Sequence, residues 1–537
     1  MSTIVRRLSR GAVAGLGLAA VFATPTLARD ADRARCAPSF AAQVPLGITV
    51  KSTELVPAGA KAPEYCRVLA SVPSVGNEVE FVVGLPTNWN EKFWWTAQGG
   101  LAGSPMDLVS RMSRHHEPDV AMKAGYAVGV TDTGHKGRPN YPGGAARDPA
   151  FISNVDRLID YAYRANHLAA DGAKAVIRAY YGAPSKRAIF NACSNGGRAA
   201  MINAQRYPGQ FDGFVVGAPF ISPVRASLDW LLHARDGFIA SPAAFPTAEK
   251  LKLVGKAVLA ACDGLDGAKD GVVSDPRACK FDPHVLQCKG ADGPDCLTKA
   301  QADAFAAWNS DIGRKAGDFV SHRWLFTGVE GAVSGTSSYQ IGPKPAPVDA
   351  KGRPLITNDQ NGGFSVINAV LGEMVRLDPT YDVRTFDIDT DMGLTAQTEG
   401  MLGADDTDLA PAIDKGAKFL FWHGWADPAL NPLNTIDYVE AATKRVGPAR
   451  AASIRLFMMP GLTHCALGEP GSADFFDSNG EIDKWLDGAP APEQIEAAHY
   501  ENGKAVRTRP LCAFPRMPVY KGQGDVEAAS NWDCRQP

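Results

Sequence analysis

A serine in the segment NACSNGGRAAM, residues 191–201, has the neighbours expected of an enzymatic nucleophile. The pentad at 192–196 follows the pattern small-x-Ser-x-Gly, in which a strand turns sharply into a helix and exposes the serine hydroxyl. That hydroxyl attacks well only when a base takes its proton and a third group orients the base. Ala192 replaces the glycine that usually begins the pattern, and the pentad alone also fits a strand-ending turn without catalysis. Ser194 therefore needs an acid and a base elsewhere in the chain.

An acid and a base follow later, each on a loop after an apolar strand pattern. Asp427 lies in HGWADP, after the run AKFLFW, and His464 lies in PGLTHC, after the run SIRLFMM. The chain order Ser, Asp, His and these loop positions are those of α/β hydrolases. We therefore predict a catalytic triad of Ser194, Asp427 and His464.

Two other histidines lie near these motifs. His135, in TDTGH, precedes the serine in the chain, and we interpret it as structural or pocket-lining. His423 is too close to Asp427 to do more than shape that loop.

Cysteines directly adjoin both the serine and the histidine. A bond between Cys193 and Cys465 would hold Ser194 and His464 together covalently, and small displacements of catalytic groups reduce rates strongly. The chain has ten cysteines, an even number that suits an exported protein. Their positions do not fix the connectivity, but short separations favour local pairs. The predicted pairs are Cys36–Cys66, Cys193–Cys465, Cys262–Cys279, Cys288–Cys296 and Cys512–Cys534.

An oxyanion hole needs backbone N–H donors from the residue after the nucleophile and from a loop after an early strand. Asn195 supplies the first donor. The run AQGGLAGS, 97–104, follows the strand pattern FWWT, and we predict that Gly100 supplies the second, with Gly99 as the alternative. A flexible glycine-rich surface loop is the other interpretation of this run.

Three aspartates interleaved with glycines lie in CDGLDGAKDGVVSD, residues 262–275. Calcium takes about six to eight oxygen ligands from carboxylates and backbone carbonyls, so Asp263, Asp266 and Asp270 are candidate ligands. The spacing is not that of an EF-hand, and no glutamate closes the loop. A solvated acidic turn fits the composition equally well.

Strand patterns alternate with helical patterns in two parts of the chain, which predicts a mostly parallel sheet covered on both faces, the α/β class. The alternation stops after about residue 223 and resumes at about 411. We predict an α/β-hydrolase fold formed by 29–223 and 411–537, with a large lid domain inserted at 224–410. Two such units suit a chain of 537 residues.

The N-terminus resembles an export signal. Three arginines precede the apolar run at 11–23, and small residues end at Ala28, so we predict a signal peptide over 1–28 and a secreted or periplasmic protein. No later run is long and apolar enough to span a membrane, and we expect no stable membrane anchor. The net charge of −3 and the absence of a basic stretch argue against a nucleic-acid partner.

Taken together, these motifs resemble the tannase and feruloyl esterase family, which also includes the mono(2-hydroxyethyl) terephthalate hydrolases. The resemblance is carried by CSNGG, AQRYPGQFDGFVVGAP, TDTGH, HGWADP and THC, and it covers nearly all of the chain after the signal peptide. It implies the same triad and the Cys193–Cys465 disulfide. It also implies a structural calcium ion in the lid, with these ligands: Asp263, Asp266, the carbonyl of Ala268, Asp270 and the carbonyl of Val272.

The resemblance implies a secreted serine hydrolase that acts on small aromatic esters, such as hydroxycinnamates, gallates or terephthalate monoesters. A peptidase or an acyltransferase would share the triad, and a non-catalytic calcium-binding protein is a further alternative. Either Arg376 or Arg384 is a candidate to meet a substrate carboxylate. Four lid aromatics could stack on the acyl group or form lid core: Trp324, Phe326, Tyr339 and Phe364.

Overall fold

The computed structural model of the chain describes residues 33–103, 108, 118–141, 144–332, 335–465 and 471–537. The predicted signal peptide at 1–28 lies outside these residues. None of the helices in the described ranges is long and apolar enough to cross a membrane.

A nine-stranded sheet forms the centre of the molecule. In spatial order its strands are β1 (Thr49–Val56), β2 (Tyr65–Ser74), β3 (Asn77–Pro86), β5 (Ala127–Thr131), β4 (Lys92–Trp95), β6 (Arg187–Ser194), β7 (Gly213–Pro219), β10 (Lys418–Gly424) and β11 (Ile454–Met459). The pairs from β5 through β4, β6, β7 and β10 to β11 are parallel, whereas the pairs β1–β2, β2–β3 and β3–β5 are antiparallel. The predicted α/β-hydrolase fold with a mostly parallel sheet is confirmed. The other strands of the described residues are β8 (Ile312–Gly313), β9 (Val320–Ser321), β12 (Gln494–Glu501), β13 (Lys504–Cys512), β14 (Met517–Tyr520) and β15 (Trp532–Arg535).

The central parallel strands are buried on both faces. Every residue of β7 is buried, as is all of β10 after its first residue, which matches their continuous apolar sequences. Phe214 of β7 stacks on Phe419 of β10 with 4.9 Å between ring centroids. Because parallel strands end at one edge, the residues that follow β6, β10 and β11 are brought together there.

Helices cover both faces of the sheet. Val83 of β3 belongs to an apolar cluster packed under α3 (Ala165–Tyr181), α4 (Asn195–Arg206) and α12 (Pro432–Val446). Its neighbour Val82 belongs to another cluster, which is packed under α14 (Ser478–Leu486). The helices of the described residues are α1 (Pro118–Lys123), α2 (Val155–Ile159), α3 (Ala165–Tyr181), α4 (Asn195–Arg206), α5 (Pro223–His233), α6 (Ala248–Cys262), α7 (Lys299–Trp308), α8 (Gly362–Ile367), α9 (Ile388–Asp391), α10 (Ala396–Leu402), α11 (Ala410–Ile413), α12 (Pro432–Val446), α13 (Pro448–Ala451) and α14 (Ser478–Leu486).

A π-helical turn, Asp160–Arg164, joins α2 to α3. It places Tyr161 and Ala162 in the interior, where both are buried. The long helical pattern of this region is thus interrupted, and α3 then continues to Gly182, whose positive φ of 77° ends it.

The chain between β7 and β10 forms a second apolar cluster beside the sheet. The cluster contains Trp230, Phe305 and Phe326, together with residues of the sheet-side loops such as Leu101 and Leu430. The helices α5 to α11 belong to this inserted segment, within which the predicted lid at 224–410 falls.

Five disulfides are formed, and they are the five pairs predicted. Short antiparallel pairs, β12–β13 and β14–β15, close the C-terminal part, and Cys512–Cys534 links them.

Candidate active site

Ser194 lies at the sharp turn between β6 and α4. Its backbone has φ 63° and ψ −128°, a conformation that an L-residue rarely adopts and that is typical of a nucleophile elbow. A Cβ on Gly196 would lie 2.3 Å from the carbonyl oxygen of Ala97, so only glycine fits there. Ala192, which replaces the usual first glycine, is fully buried, and its methyl group is accommodated because Gly196 opposite has none.

The three residues predicted as the triad are in direct contact. His464 Nε2 lies 2.9 Å from Ser194 Oγ, and His464 Nδ1 lies 2.7 Å from Asp427 Oδ2. Ser194 is the last residue of β6, Asp427 lies in the loop after β10, and His464 lies in the loop after β11. The arrangement lets a proton pass between the serine and the imidazole while the carboxylate fixes the ring.

Asp427 is fully enclosed and held in its ionised form. Its Oδ1 accepts the N–H groups of Ala429 and Leu430 at 2.8 and 2.9 Å, and its Oδ2 lies 3.1 Å from His423 Nε2. Burial alone would raise the pKa of Asp427. His464 and His423 lower it through their charges and their hydrogen bonds, and the pKa of Asp427 lies well below its usual range. His423 thus contacts the carboxylate itself, in addition to shaping its loop.

The Cys193–Cys465 bond crosses directly beside the serine and the histidine. Its Cα atoms are 6.1 Å apart, within the usual range for a disulfide. The bond joins the end of β6 to the loop after β11.

The loop at 97–100 packs against the serine turn. A Cβ on Gly99 would lie 3.9 Å from the Cβ of Ser194, whereas a Cβ on Gly100 would lie 2.5 Å from the carbonyl oxygen of Ala146. Gly100 also has a φ of 61°, so close packing and backbone conformation both require glycine there. Asn195 begins α4 on the other side of the serine. The loop and the helix start predicted to carry the oxyanion donors therefore flank Ser194.

His135 supports this loop from behind. Its Nε2 lies 3.0 Å from the carbonyl oxygen of Leu101, and its ring stacks on Phe151 with 4.1 Å between centroids. Burial lowers the pKa of His135 to about 4, so the ring is neutral and donates to Leu101. A third contact of the ring is with Tyr161, at 6.0 Å between ring centroids.

Of the four aromatics singled out in the inserted segment, Tyr339 is the one whose ring contacts His464. Its ring lies 5.6 Å from that of His464, centroid to centroid. Trp324, Phe326 and Phe364 are instead buried in the apolar cluster of the inserted segment. Burial raises the pKa of the Tyr339 hydroxyl, against the opposing charge of a nearby arginine, Arg147.

Arg147 is a residue near the site that sequence patterns did not indicate. A Cβ on Gly362 would lie 3.0 Å from Arg147 Nη2 and 2.9 Å from Tyr339 Cε1, so the two side chains share one surface. The two arginines proposed from sequence are engaged elsewhere: Arg384 is paired with Asp382, and Arg376 lies over Tyr381.

The aspartate-rich loop folds around its own carboxylates. Asp263 Oδ1 accepts the N–H groups of Asp270, Gly271 and Val272, and Asp266 Oδ2 accepts the Ser274 hydroxyl at 2.5 Å. Burial, together with the charges of the neighbouring carboxylates, raises the pKa of Asp266 to about 6. The loop thus concentrates negative charge in a buried place.

The donors of this loop fit calcium in kind, because they are carboxylate and backbone carbonyl oxygens. Asp270 is ion-paired with Arg509, and the three carboxylates are not gathered within 4.8 Å of one another. Within the described ranges that distance is met by Cys288, Asp292 and Cys296, but both of those sulfurs are in a disulfide. An ion held by all three aspartates would therefore compete with Arg509 for Asp270.

Comparison with known proteins places the chain in a family. The family model described as tannase and feruloyl esterase matches residues 66–535. An uncharacterised esterase of Xanthomonas campestris pv. campestris is 30% identical over 96% of this chain and 93% of its own length. The mono(2-hydroxyethyl) terephthalate hydrolase of Piscinibacter sakaiensis is 30% identical over 90% of this chain and 87% of its own. A probable feruloyl esterase of Arthroderma benhamiae is 30% identical over 97% of both chains.

Solved structures agree on the fold. Feruloyl esterase B from Aspergillus oryzae superposes with a TM-score of 0.78 at 24% identity, covering 94% of this chain and all of that one. Tannin acyl hydrolase from Aspergillus niger gives 0.71 at 21% identity, with 94% and 95% covered. The chain belongs to the tannase and feruloyl esterase family and is a carboxylic ester hydrolase.

Proposed function

We propose that the chain hydrolyses esters of aromatic acids through a Ser-His-Asp acyl-enzyme mechanism. The proposal is supported above all by the 2.9 Å and 2.7 Å contacts that connect Ser194, His464 and Asp427. Ser194 Oγ attacks the ester carbonyl while His464 Nε2 takes its proton and then gives it to the leaving alcohol. Asp427 accepts from His464 Nδ1, fixes the tautomer and stabilises the imidazolium.

The backbone N–H groups of Asn195 and Gly100 stabilise the oxyanion of the tetrahedral intermediate. Water then enters, His464 removes its proton, and attack on the acyl-enzyme releases the acid and free Ser194. The elbow conformation of Ser194 and the packing of the 97–100 loop against it support this assignment.

The substrate class is proposed from the relatives and from the site. Relatives over nearly the whole chain are named as feruloyl esterases and a mono(2-hydroxyethyl) terephthalate hydrolase. Tyr339, beside His464, offers a ring on which an aromatic acyl group can stack. The inserted segment, 224–410 as predicted, acts as the lid that selects this group.

We propose a structural calcium ion at Asp263, Asp266, Asp270 and the carbonyls of Ala268 and Val272. When bound, the ion neutralises the buried negative charge of the loop and takes no part in hydrolysis. The loop contacts the chain that carries His464, because a Cβ on Gly461 would lie 3.5 Å from Val272 Cγ1. We also propose export, which five disulfides support.

The test is a hydrolysis panel of feruloyl, galloyl and terephthaloyl esters with wild type and Ser194→Ala. We expect wild type to cleave at least one of these esters and the variant to lose roughly 10⁶-fold in kcat while folding normally. An aryl amide matched to the best ester separates an esterase from a peptidase, and added alcohol reveals acyl transfer. Retention of a tenth of the wild-type rate by Ser194→Ala would refute the mechanism.

A further inference from the structure

A buried hydrogen-bond network lies directly behind the proposed oxyanion donors. We propose that Tyr161 and Arg198 are positioning residues that fix the N–H groups of Asn195 and Gly100 relative to each other. The proposal rests on the esterase mechanism above, because that mechanism assigns the two donors.

The first step concerns the Gly100 N–H, which belongs to the peptide group between Gly99 and Gly100. Two successive glycines leave such a group unusual conformational freedom. The peptide groups on either side are held by side chains. Asn195 Nδ2 donates to the carbonyl of Gln98 at 3.1 Å, and the Tyr161 hydroxyl lies 3.1 Å from the carbonyl oxygen of Gly100. The carbonyl of Gly99, which belongs to the same peptide group as the donor, accepts the Ala102 N–H at 3.1 Å. The donor is therefore held through its own peptide group and through the two peptide groups that flank it.

The second step concerns the Asn195 side chain. Its Oδ1 lies 2.8 Å from Arg198 Nε and 3.0 Å from the Tyr161 hydroxyl. Arginine only donates, so Arg198 fixes the amide with Oδ1 toward itself and Nδ2 toward Gln98. The Tyr161 proton is shared between Asn195 Oδ1 and the Gly100 carbonyl. One hydroxyl therefore joins the residue after the nucleophile to the loop that carries the second donor.

The third step concerns Arg198, which is completely buried. It donates to the carbonyls of Tyr161, Ala162 and Leu402, and its guanidinium lies 4.8 Å above the Tyr161 ring. The first two carbonyls belong to the π-helical turn Asp160–Arg164, a kind of irregularity that often occurs at functional sites. Leu402 ends α10 in the inserted segment, so Arg198 also ties the network to the lid.

The consequence for catalysis is specific. Oxyanion donors act by pointing at the place where negative charge develops. Loosening them therefore reduces the stabilisation of the transition state more than the binding of the substrate. Loss of the Tyr161 hydroxyl should therefore lower kcat and leave KM nearly unchanged.

The experiment compares Tyr161→Phe with Tyr438→Phe, which deletes another buried hydroxyl, bonded to the carbonyl of Asp406 at 2.8 Å. Steady-state kinetics are measured well below the unfolding transition, together with the Ki of phenylboronic acid, whose boron becomes tetrahedral and anionic when Ser194 Oγ adds to it. For Tyr161→Phe we expect kcat to fall about 10- to 100-fold, less than the ~10²–10³ seen when a donor is removed outright. KM should stay within about twofold, and the boronate Ki should rise in proportion to the loss in kcat. Tyr438→Phe should leave all three values unchanged.

Asn195→Ala is the second variant, because it keeps both backbone donors but removes their side-chain links. It should lower kcat as Tyr161→Phe does, and the double variant should lose little more than the stronger single variant. A Tyr161→Phe enzyme with wild-type kcat, or one impaired only in KM, would overturn the positioning role while an inactive Ser194→Ala enzyme upholds the mechanism. If Tyr161→Phe does not fold, Asn195→Ala alone decides by the same criteria. An active Ser194→Ala enzyme would overturn both proposals.

Discussion

His423 and His464 contact the same oxygen of Asp427, at 3.1 and 2.7 Å. On the far side of its ring, His423 Nδ1 lies 2.8 Å from the Thr435 hydroxyl. The carboxylate that orients His464 is thus itself oriented by a second, fully buried imidazole.

This chain of contacts predicts a graded series of losses in kcat. Asp427→Asn should lose about 10⁴-fold, because the wrong tautomer of His464 is favoured. His423→Gln should lose roughly 10- to 100-fold, since one charge-assisted hydrogen bond is weakened. Thr435→Val should lose least, because it touches Asp427 only through His423. All variants are measured at one fixed pH, and a reversed order would contradict the series.

The Cys193–Cys465 bond predicts two separable effects in a Cys193→Ser, Cys465→Ser double variant. The unfolding free energy should fall by about 2–4 kcal/mol, and kcat should fall even at low temperature because His464 is held less firmly against Ser194. Thermal melts and kinetics well below the melting point distinguish them. An unchanged kcat there would make the bond a structural link only.

We predict that the removal of calcium lowers the melting temperature of the protein. A ligand that binds only the folded state stabilises it by mass action, so chelation should lower Tm, and added calcium should restore it better than magnesium. Asp266→Ala should abolish this response, whereas Asp282→Ala, an exposed aspartate outside the loop, should keep it. Metal analysis that finds no calcium, together with a Tm insensitive to chelator, would argue against the site.

The position of Arg147 leads us to predict that the enzyme prefers esters whose acyl group carries a second acidic group, which is negatively charged. Arg147 lies beside Tyr339 and forms no ion pair with a carboxylate of the described residues. We compare kcat/KM for a terephthalate monoester with that for the corresponding benzoate ester. Arg147→Met should lower this ratio about tenfold, a typical value for losing one charge-assisted hydrogen bond. Arg384→Met, which removes an arginine already paired with Asp382, should not change it. Equal ratios for all three enzymes would remove Arg147 from substrate recognition.

We predict that the contribution of His135 to the free energy of unfolding depends on pH. Its folded-state pKa of about 4 lies below the ordinary value of 6.5. The unfolded chain therefore binds the proton first, so the contribution is fully present above pH 6.5 and is lost as the pH falls toward 4. His135→Gln lacks this titration, and the Tm gap between wild type and variant should narrow over that range. Parallel Tm curves would contradict the assignment.

The contacts among Ser194, His464 and Asp427 could be predicted from sequence because each of these residues follows a local pattern. Ser194 lies between a strand pattern and a helical one, and Asp427 and His464 each follow an apolar strand. The cysteines next to Ser194 and His464 also marked which two loops meet. These signals need only a few neighbouring residues each.

Tyr161 and Arg198 could not be predicted in the same way. Apart from the bond between Arg198 and Asn195 within α4, their hydrogen bonds join residues 34 to 204 positions apart, which no local sequence pattern records. A lone arginine among the alanines at the start of α4 was the available signal for Arg198. Arg147 was hidden because its neighbour Tyr339 is 192 positions away, on the inserted segment.

The Cys193–Cys465 bond encloses 272 positions of chain, and the whole inserted segment lies inside that loop. Ser194, Asp427 and His464 all lie at the ends of sheet strands that come before or after the insertion. Evolution can therefore lengthen, shorten or resurface the insertion without displacing the serine from the histidine. A single hydrolytic centre can in this way acquire new substrates by exchange of the insertion, while the chemistry is inherited unchanged.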